Sequence, residues 1–148
     1  DKSSDFLVSC LHEVGITNQP TSESRDDGLK YNDAYITAAV KCVPPDNKPT
    51  PEEIANCSVY LRSEISMMKN LRVILVLGQI AFQAVLNMLA DPAVSKSKYR
   101  FSHGAIYSLN GVSIVCSYHP SPRNVNTGKL SRDDFIGVLR KVKELASS

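Results

Sequence analysis

Apolar residues recur along this chain at two different periods, and the switches between them mark the elements. From Ser4 to Val14 the positions Phe6, Leu7, Cys10, Leu11 and Val14 follow helical spacing, and Gly15 stands where a helix cap belongs. A short amphipathic helix is expected there. Residues 17–30 are rich in Ser, Thr, Asn, Asp and Gly without a period and read as a long surface loop. Residues 34–40 (AYITAAV) then supply small and β-branched apolar residues, a buried strand, before the breaker-rich run 44–49 (PPDNKP). Thr50 is a good N-cap, Pro51 suits the first helical position and Glu53 completes a capping box, with Ile54, Leu61, Ile65 and Met68 at helical intervals. Residues 71–77 (LRVILVL) are nearly continuous in apolar character, as a parallel strand covered on both faces requires, and Gly78 turns the chain into a helix over 79–91. After the polar linker 92–100, strands over 105–109 and 112–117 flank Asn110–Gly111, a common hairpin pair, and Ser131 with Asp134 caps a last amphipathic helix. The alternation predicts an α/β architecture, a three-layer α/β/α domain around a central, mostly parallel sheet.

In open α/β sheets, ligands bind beyond the carboxyl ends of the strands. The informative residues should therefore follow Val40, Leu77 and Ser117, and three loops do so: the Pro-rich run with Asn47, Gly78–Gln79, and residues 118–124 (YHPSPRN). Composition narrows the class. The 148 residues, 43% apolar and 22% charged, describe one ordinary soluble globular domain, and a net charge of +2 permits polyanion binding without demanding it. No apolar stretch approaches the roughly 18 to 20 residues needed to cross a membrane, so a cytoplasmic monomer with no membrane partner is expected. A chain this long needs no covalent staple, so Cys10, Cys42, Cys57 and Cys116 point to metal ligation or plain burial.

The third loop carries a specific likeness. Residues 117–130 (SYHPSPRNVNTGKL) resemble the His-Pro-Ser motif of uracil-DNA glycosylases in their iron–sulfur, thermophile-type branch. Residues 35–57 (YITAAVKCVPPDNKPTPEEIANC), 77–82 (LGQIAF) and 101–105 (FSHGA) resemble the same branch in the same order. A lone tripeptide would carry no weight; four ordered blocks do. Ala38 stands where the sister branch tends to carry a uracil-recognising Asn, which implies the broader-specificity branch. Family members carry an upstream strand, a Gly-rich loop and two further cysteines before the part that residues 1–15 resemble, so the chain is expected to be the larger, C-terminal portion of such an enzyme, its own activity uncertain.

The resemblance implies base excision from uracil-containing DNA. Hydrolysis of the glycosidic bond develops positive charge on the sugar and negative charge on the departing base, which preorganised donors stabilise. His119 is the implied catalytic donor. The base must first be flipped from the helix. Ser121, between Pro120 and Pro122, suits a phosphate contact through its hydroxyl and amide, and Pro122, Arg123 and Asn124 suit a minor-groove wedge with added phosphate attraction. Asn47 reads as the base-edge residue, since an amide both donates and accepts, or else as an Asx turn. His103 either binds phosphate beside Gly104 or caps the hairpin, and Gly78 either turns strand into helix or offers an amide to a phosphate. Tyr118 reads as core or rim packing rather than a stacking platform, and without the motif Arg123 and Lys129 would read as solvated charges. Cys42 and Cys57 fall where the family places two ligands of a structural four-iron, four-sulfur cluster, incomplete or absent with two thiolates alone, while Cys10 and Cys116 read as core residues. Two other classes compete. One is a non-catalytic DNA-binding remnant of the same fold; the other, a nucleotide-binding regulatory module, would need a phosphate-cradling Gly-rich loop that is not found.

Overall fold

The computed structural model describes residues 2–21, 28, 63, 65–66, 68, 70–89, 99–109 and 111–147. The strand expected at 34–40 and the Pro-rich loop, with Asn47, Cys42 and Cys57, lie outside the described residues. So does most of the helix expected from Thr50, of which Ser63, Ile65 and Ser66 are described and helical. The chain forms two compact units, Thr37–Ser117 and the pair of segments Asp1–Ile36 and Tyr118–Ser148.

In the second of these units, helix α1 (Lys2–Glu13) ends where Gly15 was expected to end it. The Gly15 amide donates to the His12 carbonyl at 3.0 Å and the Ile16 amide to the Leu11 carbonyl at 2.8 Å, with Gly15 at φ 83°. These are the paired bonds of a Schellman cap, which satisfy carbonyls the helix would otherwise leave open. The helix begins two residues before the apolar period, because a polar first turn carries no core-facing signal. The last helix of the chain (Arg132–Ser147, α4 below) starts as its sequence predicts, the Asp134 amide donating to Ser131 Oγ at 3.1 Å.

These two helices pack against each other. The buried residues Val8, Cys10 and Leu11 of the first, Val14 just past its end, and Phe135, Ile136, Val138 and Leu139 of the last form the core, with the Phe6 and Phe135 rings 5.7 Å apart. Full burial of a side chain such as Phe135 stabilises the fold by about 1.5–3 kcal/mol. Arg132 donates to Ser9 Oγ at 3.0 Å and pairs with Glu13 at 3.3 Å, and Lys143 Nζ donates to the Val14 carbonyl at 2.6 Å. The last contact places a cation at the carboxyl end of α1, where the helix dipole favours it.

The other unit is built on a mixed three-stranded sheet in the order β1-β3-β2. β1 (Val73–Leu77) runs parallel to β3 (Val112–Ser117), from Val73 opposite Ser113 to Leu77 opposite Ser117. β2 (Ile106–Leu109) pairs antiparallel with β3 through the hairpin at Gly111. The described sheet thus holds one parallel and one antiparallel pairing. β1 starts at Val73 rather than Leu71, since pairing sets a strand's length and the partner's ladder begins at Ser113. Helix α2 (Gln79–Leu89) packs on β1. Phe82, Val85 and Leu86 join Val76, Ile114 and Cys116 in the core. Phe82 lies 5.8 Å from the Phe101 ring and 6.0 Å from that of Tyr107, whose hydroxyl donates to the Arg100 carbonyl at 2.6 Å. An aromatic cluster of buried Phe82 and half-buried Phe101 and Tyr107, with the Tyr107 hydroxyl satisfied, anchors the segment leading into β2. Chain order makes α3 the short helix Pro122–Asn126, ahead of α4.

Candidate functional site

Two turns are tied to the carboxyl end of β3. Its Cys116 carbonyl accepts the Gly104 amide at 2.8 Å, and its Ser117 carbonyl accepts the Gly78 amide at 2.8 Å. The first turn spans Ser102 to Ala105, closed by the Ala105 amide on the Ser102 carbonyl at 3.1 Å, with half-buried His103 second and Gly104 third. A positive φ at the third position, here 84°, is what a type II turn requires. Gly78, at φ 95°, ends β1, and its carbonyl accepts the Phe82 amide at 3.1 Å to start α2. Of the two readings of Gly78, the structure therefore displays the turn: its amide is spent on β3 instead of being offered to a phosphate.

Beyond Ser117 the chain enters the His-Pro-Ser loop, which belongs with the helical unit. The His119 carbonyl is gripped twice, accepting the Ser121 amide at 2.8 Å and the Asn124 side-chain amide at 2.8 Å. Pro120 between them is fully buried. Ser121 has extended backbone and caps α3, its Oγ accepting the Asn124 amide at 3.2 Å, while Pro122 takes the first helical position, where its lacking N–H costs nothing. The carboxyl end of α3 is closed as firmly. Thr127 donates to the Arg123 carbonyl through its amide at 3.1 Å and its hydroxyl at 2.7 Å, and the amide of buried Leu130 donates to the Asn124 carbonyl at 3.0 Å.

The side chains on this frame differ in what they are free to do. The His119 residue is exposed, yet surrounding protein desolvates the imidazole enough to lower its pKa from the ordinary 6.5. A ring with a lowered pKa is neutral at pH 7 and keeps one N–H to donate. Pro122 and Arg123 are exposed on the first turn of α3. Ser121 has already committed its amide to His119, so a phosphate contact falls to its hydroxyl hydrogen alone. Asn124, expected as part of a wedge, directs its amide inward to the loop.

Sequence reasoning missed one pairing. Lys129 Nζ sits 4.6 Å from the centroid of the Tyr118 ring, a cation–π contact across eleven positions that no local pattern announces. Neither residue is simply packing or a solvated charge.

Among the described residues no group of three or more His, Cys, Asp or Glu side chains could hold a metal. Cys116 is fully buried with its thiol pushed up to about 11, and burial also raises the thiol of buried Cys10. A metal needs the thiolate, which these environments disfavour, so both behave as the expected core residues.

The profile of the uracil DNA glycosylase superfamily matches residues 1–143. The chain belongs to this superfamily. It is 43% identical over 147 residues to the type-5 uracil-DNA glycosylase of Thermus thermophilus, covering 99% of this chain and 65% of that protein. The type-5 enzyme of Pyrobaculum aerophilum is 43% identical over 141 residues, 95% of this chain and 60% of the relative. The type-4 uracil-DNA glycosylase of Archaeoglobus fulgidus is 31% identical over 123 residues, 80% of this chain and 59% of the relative. The chain thus spans about 60% of the length of these relatives. The α/β fold and the glycosylase resemblance read from the four sequence blocks are borne out. Among the described residues no helix is long and apolar enough to cross a membrane.

Proposed function

We propose that this protein is a DNA repair glycosylase, which flips uracil and related deaminated bases out of DNA and hydrolyses the N-glycosidic bond to initiate base excision repair. The observation that carries this reading is the loop after β3, where the His119 carbonyl is held by two donors and desolvation lowers the pKa of its imidazole, favouring the neutral form. A neutral N–H donor fixed before the reaction stabilises an oxygen that gains negative charge as the base departs, without reorganisation at that moment.

The remaining roles follow the same chemistry. Exposed Pro122 and Arg123 at the first turn of α3 suit insertion beside the vacated base and attraction to phosphate. The Ser121 hydroxyl suits a backbone phosphate, with His103 as a further DNA contact. Asn47 is assigned to the base edge. Cys42 and Cys57 are assigned to a structural four-iron, four-sulfur cluster, which would tie down the Pro-rich loop and take no part in hydrolysis.

Single-turnover excision from a uracil-containing duplex tests the reading. Release of free uracil by the complete protein, lost in His119→Ala at unchanged DNA binding, supports it. Duplex binding with no release by either form would instead identify a non-catalytic DNA-binding protein.

A further inference from the structure

Asn124 was expected as part of the minor-groove wedge, and its side-chain amide donates to the backbone carbonyl of His119 at 2.8 Å. Three further bonds set this arrangement. The Asn124 amide donates to Ser121 Oγ at 3.2 Å, the Ser121 amide donates to the same His119 carbonyl at 2.8 Å, and the Asn124 carbonyl accepts from Leu130, itself 1% exposed. Asn124 is thereby anchored through its own backbone to a buried residue while its side chain holds the residue five positions earlier. Pro120, buried and lacking an N–H, cannot supply that donor.

We infer that Asn124 is the positioning residue for His119, clamping its peptide so that the imidazole is held in one orientation. The inference rests on the glycosylase reading above. A carbonyl gripped by two donors cannot rotate its peptide plane without breaking both bonds, so the Cα–Cβ direction of His119 is set before DNA arrives. Preorganised donors owe their effect to such fixing. Losing the side-chain amide leaves the Ser121 bond as the only hinge.

The test is a double-mutant cycle in the complete protein. Asn124→Ala is expected to slow single-turnover uracil excision about tenfold, equivalent to about 1.4 kcal/mol, with duplex Kd within about twofold. In the His119→Ala background the same change is expected to cost nothing, because there is no imidazole left to orient. Asn124→Gln, which keeps an amide donor, should recover part of the rate. An equal loss in both backgrounds would overturn the proposal, as would a loss confined to Kd and to duplex substrates, the mark of a wedge. A readout independent of excision is the 13C relaxation of the His119 ring, which should loosen in Asn124→Ala at an unchanged melting temperature; an unaltered ring would refute the clamp. If the wild-type protein releases no uracil, the glycosylase reading fails, and ring relaxation still decides the clamp.

Discussion

Gly78 donates its amide to the Ser117 carbonyl at 2.8 Å, which ties the turn after β1 to the last residue of β3. The two residues are far apart in sequence and adjacent in the sheet, since Leu77 and Ser117 face each other in the parallel ladder. The bond needs a residue able to hold φ 95°, a region where a Cβ is strained.

Gly78→Ala should therefore destabilise the protein by about 1–2 kcal/mol, the cost of placing an L side chain in a left-handed conformation. Urea unfolding of both forms measures it. A change below about 0.3 kcal/mol would mean that the turn relaxes freely.

His119→Ala should raise the barrier to base release by about 2.7–4 kcal/mol, the range for losing one preorganised donor. DNA affinity should change far less. Comparing single-turnover rates with equilibrium binding on one duplex separates the two, and an unchanged rate would remove His119 from the mechanism.

The lowered pKa of His119 sets a direction for pH dependence. With the folded value below the ordinary 6.5, the neutral form prevails at pH 7 and above, so excision should be flat there and fall only at acid pH, on a limb with an apparent pKa below 6.5. Stability moves the same way. The unfolded chain binds this proton more tightly, so the ring's contribution is complete above 6.5 and is lost as pH falls through the folded value. His119→Gln should abolish the acid limb of the rate; a limb that survives belongs to another group.

On the proposed reading Arg123, exposed on the first turn of α3, contacts a phosphate, so Arg123→Ala should reduce the salt slope of duplex binding by roughly one. Excision from single-stranded DNA should suffer less than from duplex, where the opposite strand must be held apart. Equal losses on both substrates would contradict the wedge assignment of this turn.

Cys116, its thiol raised to about 11 and its residue fully buried, should resist iodoacetamide at pH 8 in the native protein and react on unfolding. Cys10 should behave alike. Because the thiol form is favoured on folding, the Cys116 contribution to stability is complete below 9.0 and is lost as pH rises towards 11. Rapid native labelling, read by peptide mass spectrometry, would place these thiols in an open environment and return them to the list of metal ligands.

The sequence by itself determined what depends on near neighbours. The Gly15 cap, the Ser131 cap, the Ser121-Pro122 start of α3 and the hairpin at Gly111 are all encoded within a few residues, because a helix end or tight turn is closed by bonds reaching three to five positions. The His-Pro-Ser loop was legible for the same reason, as a contiguous string. Tertiary structure decided where each amide in that loop is spent. Whether Gly78 offers its N–H to a phosphate or to Ser117 depends on β1 and β3 lying side by side, and whether Asn124 faces DNA or grips His119 depends on the turn that Leu130 and Pro120 bury. The position of Lys129 over Tyr118 likewise follows from the path of α3 and its closing turn. A donor's type can be read from its residue, but its partner is chosen by which acceptors the folded chain brings within about 3 Å.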